Sequence, residues 1–186
     1  VEMGLTVEDV KASGALQSAA VNGRLDIIRY FIDEMKLTVD DVRVSNALYS
    51  AIINGRLNVI RYFIDEMKLT VDNVRASNAL RSATVNGHFD VIRYFIETGL
   101  TLNDVRANNF DLFKLAIINN NVNVAQYFTN EMGLSGFPDN LFTEQEIANL
   151  SEETRVFLYN NGIIWGIAGP VEPVVVDEPP LTVTQA

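Results

Sequence analysis

Cysteine is absent from the 186 residues, and histidine and tryptophan occur once each. Without thiols there are no disulfides, no thiolate metal ligands and no cysteine nucleophile. With His88 alone, no His–His or His–Cys set can hold a catalytic or structural metal. Proline is missing until Pro138, so nothing before it breaks a helix by that route. No apolar run approaches the ~18 residues of a membrane span, and Gly166 interrupts the best candidate, Ile163 to Ala168. The start shows no basic segment leading into an apolar run, hence no signal-peptide pattern. Basic charge is also scarce, at 14 Lys and Arg against 24 Asp and Glu. Residues 1–133 hold 13 basic and 16 acidic side chains, whereas residues 134–186 hold Arg155 alone against eight acids. A protein that tracks phosphates needs a basic stripe, so this balance disfavours nucleic acid. The expected setting is intracellular, without membrane contact: cytoplasmic, in a host cell or in a virion.

What is present is repetition. Leu5-Thr6-Val7-Glu8-Asp9-Val10-Lys11 returns as Leu37-Thr38-Val39-Asp40-Asp41-Val42-Arg43 and as Leu69-Thr70-Val71-Asp72-Asn73-Val74-Arg75. A blurred copy is Leu100-Thr101-Leu102-Asn103-Asp104-Val105-Arg106. Asn22-Gly23-Arg24, Asn54-Gly55-Arg56 and Asn86-Gly87-His88 recur in step, each followed by an Arg-Tyr-Phe. A period of about 32 residues is the signature of stacked supersecondary units, each touching only its neighbours. Repeats are placed at 5–36, 37–68, 69–99 and 100–133, with residues 1–4 matching the end of a preceding one.

Each repeat reads as a short turn of helix followed by two helices. Thr38 with Asp40 and Asp41 has the form of an N-cap and first-turn carboxylates, which predicts one helical turn over Thr38–Arg43. Ser45 or Asn46 is the expected N-cap of a first helix over Ala47–Ile53. Asn54-Gly55 is a turn signal, since both residues tolerate positive φ. A second helix is expected over Leu57–Met67, with Leu57, Ile60, Ile64 and Met67 on one stripe. The fourth repeat drifts: Asn119-Asn120 replaces Asn-Gly, and one residue is inserted around Asn108-Asn109-Phe110. Residues 134–162 are expected to form a helical cap, with starts at Thr143 and Ser151 and a stop at Gly162. Residues 163–186 are rich in proline, valine and acid and read as an extended tail. Trp165 is expected to cover the last cap helix, and Val174–Val176 is the alternative contact for a partner's sheet edge. Because the chain opens in the middle of a repeat, the natural protein is expected to extend further N-terminally.

The run Ala47 to Ile64, with Gly55 at the turn, resembles the ankyrin repeat, and Gly87-His88 matches that family's Gly-His dipeptide. The resemblance covers about residues 5–133. The family's Thr-Pro-Leu-His tetrad reads Asn46-Ala47-Leu48-Tyr49 here, and Leu-Thr-x-Asp-Asp-Val-Arg stands where its β-hairpin would be. This variant looks like the divergent ankyrin repeats of large DNA viruses and of bacteria that live in amoebae. What the resemblance implies is an all-α, ankyrin-like solenoid of stacked helix-turn-helix repeats with a helical C-terminal cap and extended tail. It implies no cofactor and a protein partner on the concave face, and it gives His88 a structural place.

The residues argue against chemistry. The acid pairs Glu8-Asp9, Asp40-Asp41 and Asp72-Asn73 recur as helix starts and lack the glycine of a calcium loop. No Gly-x-Ser-x-Gly elbow or Ser-x-x-Lys spacing occurs, and no base is available for a serine. No catalytic, metal or cofactor residue is therefore assigned. Stacking forces core positions to recur, so positions that vary between repeats are those the fold leaves open. One such row is Gln17, Tyr49, Arg81 and Lys114; a second is Ala20, Ile52, Thr84 and Ile117. Lys11, Arg43, Arg75 and Arg106 form a cationic ladder, which as a solvated row contributes little. The candidate partner-binding residues are Gln17, Tyr49, Arg81, Lys114, Ile52, Thr84, Arg43 and Arg75. The leading expectation is a non-catalytic protein–protein interaction scaffold. The alternatives are a structural assembly subunit that self-associates through its repeat ends, and the C-terminal recognition arm of a larger effector enzyme.

Overall fold

The first repeat folds as α1 (Val7–Ser13), α2 (Ala15–Val21) and α3 (Leu25–Arg29), the last continued by a π-helical turn over Tyr30–Glu34. The second repeats this as α4 (Val39–Val44), α5 (Ala47–Ile53), α6 (Leu57–Arg61) and a π turn over Tyr62–Glu66. The third supplies α7 (Ala79–Val85) and α8 (Phe89–Glu97), and the fourth α9 (Leu102–Ile118), α10 (Val122–Gln126) and a π turn over Tyr127–Glu131. Two further helices follow, α11 (Glu144–Ala148) and α12 (Glu152–Asn160). The computed structural model describes Gly4, residues 6–69 and residues 78–165, and all regular structure among them is helical. Arg75 and the tail from residue 166, with its Val174–Val176 run, lie outside the described residues.

The Leu-Thr segments start helices by one device. Thr38 accepts the amide of Asp41 at 3.3 Å, and the Asp41 carboxylate accepts the Thr38 amide at 2.7 Å. Thr6 with Asp9 does the same, and the Thr101 amide reaches Asp104 at 2.7 Å. Orphan amides at the helix start are thereby satisfied within the segment. The expected N-cap at Asn46 is not of this kind. Asn46 has φ 55° and makes no side-chain cap bond, while Ser45 donates to the Val42 carbonyl. The chain reverses sharply between α4 and α5, so the position demands left-handed backbone. Gly14, Asn46 and Asn78 meet that demand in the first three repeats.

The second helices differ from an uninterrupted Leu57–Met67. The Met35, Met67 and Met132 amides bond back five residues, to Tyr30, Tyr62 and Tyr127. In the third repeat Thr98 bonds back four, to Tyr94, and α8 stays α-helical throughout. The third repeat is one residue shorter between its Tyr-Phe and the next leucine, having Glu97-Thr98-Gly99 before Leu100. The extra residue elsewhere is absorbed as a π turn. Leu37, Leu69, Leu100 and Leu134 are buried in every case.

The fourth repeat carries the other irregularity. Asn108, Asn109 and Phe110 all have positive φ and break α9. Six positions separate Arg43 from Tyr49 and eight separate Arg106 from Lys114, so two residues are inserted here and not one. The residue lost before Leu100 hides the second from a count of the whole period. Phe110 and Phe113 pack on Phe137, with ring centroids 4.9 and 4.5 Å apart.

The chain divides into two compact units, Val1–Phe137 and Pro138–Ala186. In the first, helices pack in sequence: α2 on α5, α5 on α7, α7 on α9. Its core consists of the recurring side chains, among them Ile28, Ile60 and Ile92, and Phe63, Phe95 and Phe128, all fully buried. In the second, Thr143 and Glu146 form a capping box, and Ser151 accepts the Thr154 amide at 3.2 Å. Gly162 (φ 63°) ends α12, and Ile163 and Ile164 are buried. Trp165 is 69% exposed, so the expected cover over α12 is not provided by its ring.

Candidate functional site

The row Gln17, Tyr49, Arg81 and Lys114 occupies equivalent positions on α2, α5, α7 and the second half of α9, which pack one on the next. Gln17 Nε2 donates to Ser50 Oγ at 3.1 Å, tying the first two repeats together under an exposed Tyr49. Arg81 forms an ion pair with Asp111 of the next repeat. Lys114 is half-buried. The four therefore form one mixed strip: an amide, a phenol, a paired guanidinium and an ammonium.

Arg81 and Asp111 also line a cleft of about 290 Å³ between α7 and α9, with Asn78, Asp104, Asn108 and Leu112. The inserted Ala107–Phe110 bend forms one side of it. An equivalent cleft of about 220 Å³ lies between the first and second repeats, where Leu16 and Leu37 stand for Leu80 and Leu100. Each is lined by an ion pair, Lys11–Asp41 in the smaller and Arg81–Asp111 in the larger, and the inserted bend distinguishes the larger one.

The second variable row is not a surface. Ala20, Ile52, Thr84 and Ile117 are all fully buried, which removes Ile52 and Thr84 from any contact with a partner. Their variation is an exchange of core side chains between repeats, which sequence comparison cannot distinguish from surface freedom. Thr84 Oγ1 finds no hydrogen-bond partner among the described residues. Two members of the cationic ladder are paired: Lys11 with Asp41 at 2.9 Å and Arg43 with Asp40 at 3.0 Å. Exposed pairs of this kind contribute at most about 1 kcal/mol. The Asp41 carboxyl lies below the usual aspartate range, chiefly because it accepts the Thr38 amide, with Lys11 adding to the effect.

Two inter-repeat devices escaped the sequence reading. The first follows the turn glycine. Arg56 Nε donates to the Val21 carbonyl at 2.8 Å, His88 Nε2 lies 2.6 Å from the Ile53 carbonyl, and Asn121 Nδ2 donates to the Thr84 carbonyl at 2.8 Å. A carbonyl only accepts, so the His88 proton sits on Nε2, and the residue is a structural clamp. Each clamp lies over the preceding turn glycine. A Cβ at Gly55 would come 2.6 Å from His88 Nδ1, and one at Gly87 2.4 Å from Asn121 Oδ1.

The second device runs along the second helices. The Arg29 guanidinium stacks over the Tyr62 ring at 5.3 Å and that of Arg61 over Tyr94 at 4.8 Å. The Tyr94 hydroxyl donates to Asp65 at 2.7 Å. Burial, then the Asp65 carboxylate, raises the Tyr94 phenol far above its ordinary pKa; burial and Asp33 raise Tyr62 in the same sense. The signal for this ladder was the Arg-Tyr-Phe-Ile-Asp recurrence, which a reading confined to apolar periodicity treats as a solvent-facing edge.

Among the described residues no group of three or more His, Asp or Glu side chains gathers as a metal site, and no helix is long and apolar enough to cross a membrane. The chain matches no family model, no curated protein and no solved structure.

Proposed function

We propose that the first compact unit is an ankyrin-like solenoid that acts as a non-catalytic scaffold, holding a protein partner on the strip Gln17–Tyr49–Arg81–Lys114. The observation that carries this reading is the contrast between rows on the same helices. Positions facing the core recur or, as in the row Ala20, Ile52, Thr84 and Ile117, vary while staying fully buried, whereas this row changes chemical type from repeat to repeat and stays accessible at Gln17, Tyr49 and Arg81. An exposed tyrosine beside an arginine is the composition that dominates binding energy at protein interfaces. The neighbouring cleft at Arg81 and Asp111 provides a recess for a partner side chain. Sequential packing of α2, α5, α7 and α9 and the clamp bonds between consecutive repeats support the solenoid.

The test is the double substitution Tyr49→Ala and Arg81→Ala. Both side chains are exposed, so thermal unfolding should stay close to wild type. Partners retained by the immobilised wild-type chain should bind the double variant at least about tenfold more weakly, since each hot-spot truncation costs more than 1 kcal/mol. Unchanged affinity in that titration would remove the strip from the interface.

A further inference from the structure

Three turns carry one dipeptide, Asn22-Gly23, Asn54-Gly55 and Asn86-Gly87, and each is held in the same way. The asparagine ψ is 0°, 8° and 1° in chain order. Its Nδ2 donates to the main-chain carbonyl of Ser18, Ser50 or Ser82, each time at 2.8 Å. The glycine amide donates to the carbonyl of Ala20, Ile52 or Thr84, at 3.2, 3.1 and 3.2 Å. The following repeat closes the arrangement, because its clamp residue takes the carbonyl just before the asparagine. Arg56 donates to Val21, His88 to Ile53, and Asn121 to Val85 at 3.1 Å as well as to Thr84.

Asparagine before glycine has a reaction of its own. The glycine has no side chain to obstruct the approach of its nitrogen to the side-chain amide carbon of the asparagine. Attack forms a new N–C bond and a cyclic imide, and the side-chain nitrogen leaves as ammonia with the glycine proton. Water then opens one of the two imide carbonyls, giving aspartate or isoaspartate, and is the only co-reactant. In the folded turns each participant is tied down. The glycine N–H is engaged, the asparagine amide is bound back to its helix, and a ψ near zero holds the nitrogen away from the carbon.

We propose that these turns are modification sites gated by the next repeat: Asn22, Asn54 and Asn86 convert to aspartate and isoaspartate when the clamps of Arg56, His88 and Asn121 open. Opening releases the carbonyl before the asparagine, so the helix end frays and ψ can rotate. Isoaspartate lengthens the main chain by one methylene at a turn whose carbonyls must meet the next repeat. Each such conversion therefore records a parting of two repeats and obstructs their return.

The experiment incubates the full chain in mildly alkaline buffer, folded and in urea. Trypsin leaves the turns in separate peptides, 12–24, 44–56 and 82–93, in which acid and isoaspartate are read by mass and by isoaspartate assay. All three should convert in urea and at least about tenfold more slowly in the folded chain, since reaction through an opened state follows its population. His88→Ala removes one hydrogen bond and should speed conversion about fivefold at Asn54, in the preceding repeat. Asn86, in the repeat that carries His88, should keep its rate. Arg56→Ala should act likewise at Asn22 alone. His88→Arg copies the clamp of the junction before it and should restore the protection of Asn54. Equal rates in folded and unfolded chains overturn the proposal, as does a uniform rise at all three turns in His88→Ala. An unchanged or slower Asn54 in that variant, or a failed rescue by His88→Arg, also overturns it. Should His88→Ala not fold, Arg56→Ala decides at Asn22 by the same criteria.

Discussion

At Gly55 the demands of backbone and neighbour coincide. Its φ of 64° disfavours any side chain, and the clamp residue of the next repeat fills the space a Cβ would take. Gly14 has a similar φ of 67° but nothing within 4 Å of its Cβ position. Gly14→Ala should therefore cost only the left-handed penalty of about 1–2 kcal/mol. Gly55→Ala should cost that and the displacement of His88, together about 3–4 kcal/mol. Urea unfolding of the two variants measures the difference, and equal losses would mean that His88 yields freely. Thr84 makes the opposite case. Its hydroxyl is fully buried with no partner among the described residues, and such a group carries a desolvation cost that no bond returns. Thr84→Val keeps the shape and should stabilise the protein by about 1 kcal/mol, seen as a higher urea midpoint at unchanged slope.

Among the elements, α1 and α4 show how seven or fewer residues hold a helix. Each is closed at its start by a threonine–aspartate capping box, without which so short a segment is marginal in water. The Asp9 carboxyl is lowered chiefly by the Thr6 hydroxyl and then its amide, and Asp41 by the Thr38 amide. A carboxylate with a depressed folded pKa stabilises the fold above its unfolded value and loses that contribution as pH falls through the folded one. Asp9→Asn with Asp41→Asn should thus lower stability at neutral pH. The gap to wild type should hold down to the ordinary value of 3.8 and close below it, which urea midpoints across that window would show. The expected turn at Thr38–Arg43 was legible because both halves of the cap lie within four residues. The π turns were not. One residue more or less before the next leucine looks like drift in a sequence, and only the hydrogen-bond ladder shows that Tyr30, Tyr62 and Tyr127 pair five residues ahead.

Across the molecule, the repeats are joined by two unlike seams. One runs over the turn glycines and ends in main-chain carbonyls; the other stacks guanidinium on phenol along the second helices. The tyrosines are buried but the Arg29 and Arg61 side chains are exposed, so each cation–π pair contributes about 0.5–1 kcal/mol, comparable with the exposed ion pairs of the same surface. The second seam changes character at the fourth repeat. There Arg93 turns to Glu97 and Tyr127 meets Phe89 edge-on at 5.3 Å. An array so built distinguishes its neighbours by type as well as by shape.

The sequence by itself determined the repeat length, the helical class, the capping boxes and the recurring apolar core, because each depends on residues within one turn or one period of each other. It also marked the strip Gln17, Tyr49, Arg81 and Lys114 as variable. Which variable positions face solvent was decided only by the tertiary structure, since Ile52 and Thr84 vary as freely as Tyr49 and yet are fully buried. The seams between repeats belong to the same category. Arg56 and Val21, or Arg61 and Tyr94, lie more than thirty residues apart, and only stacking brings a donor over its acceptor or a cation over a ring.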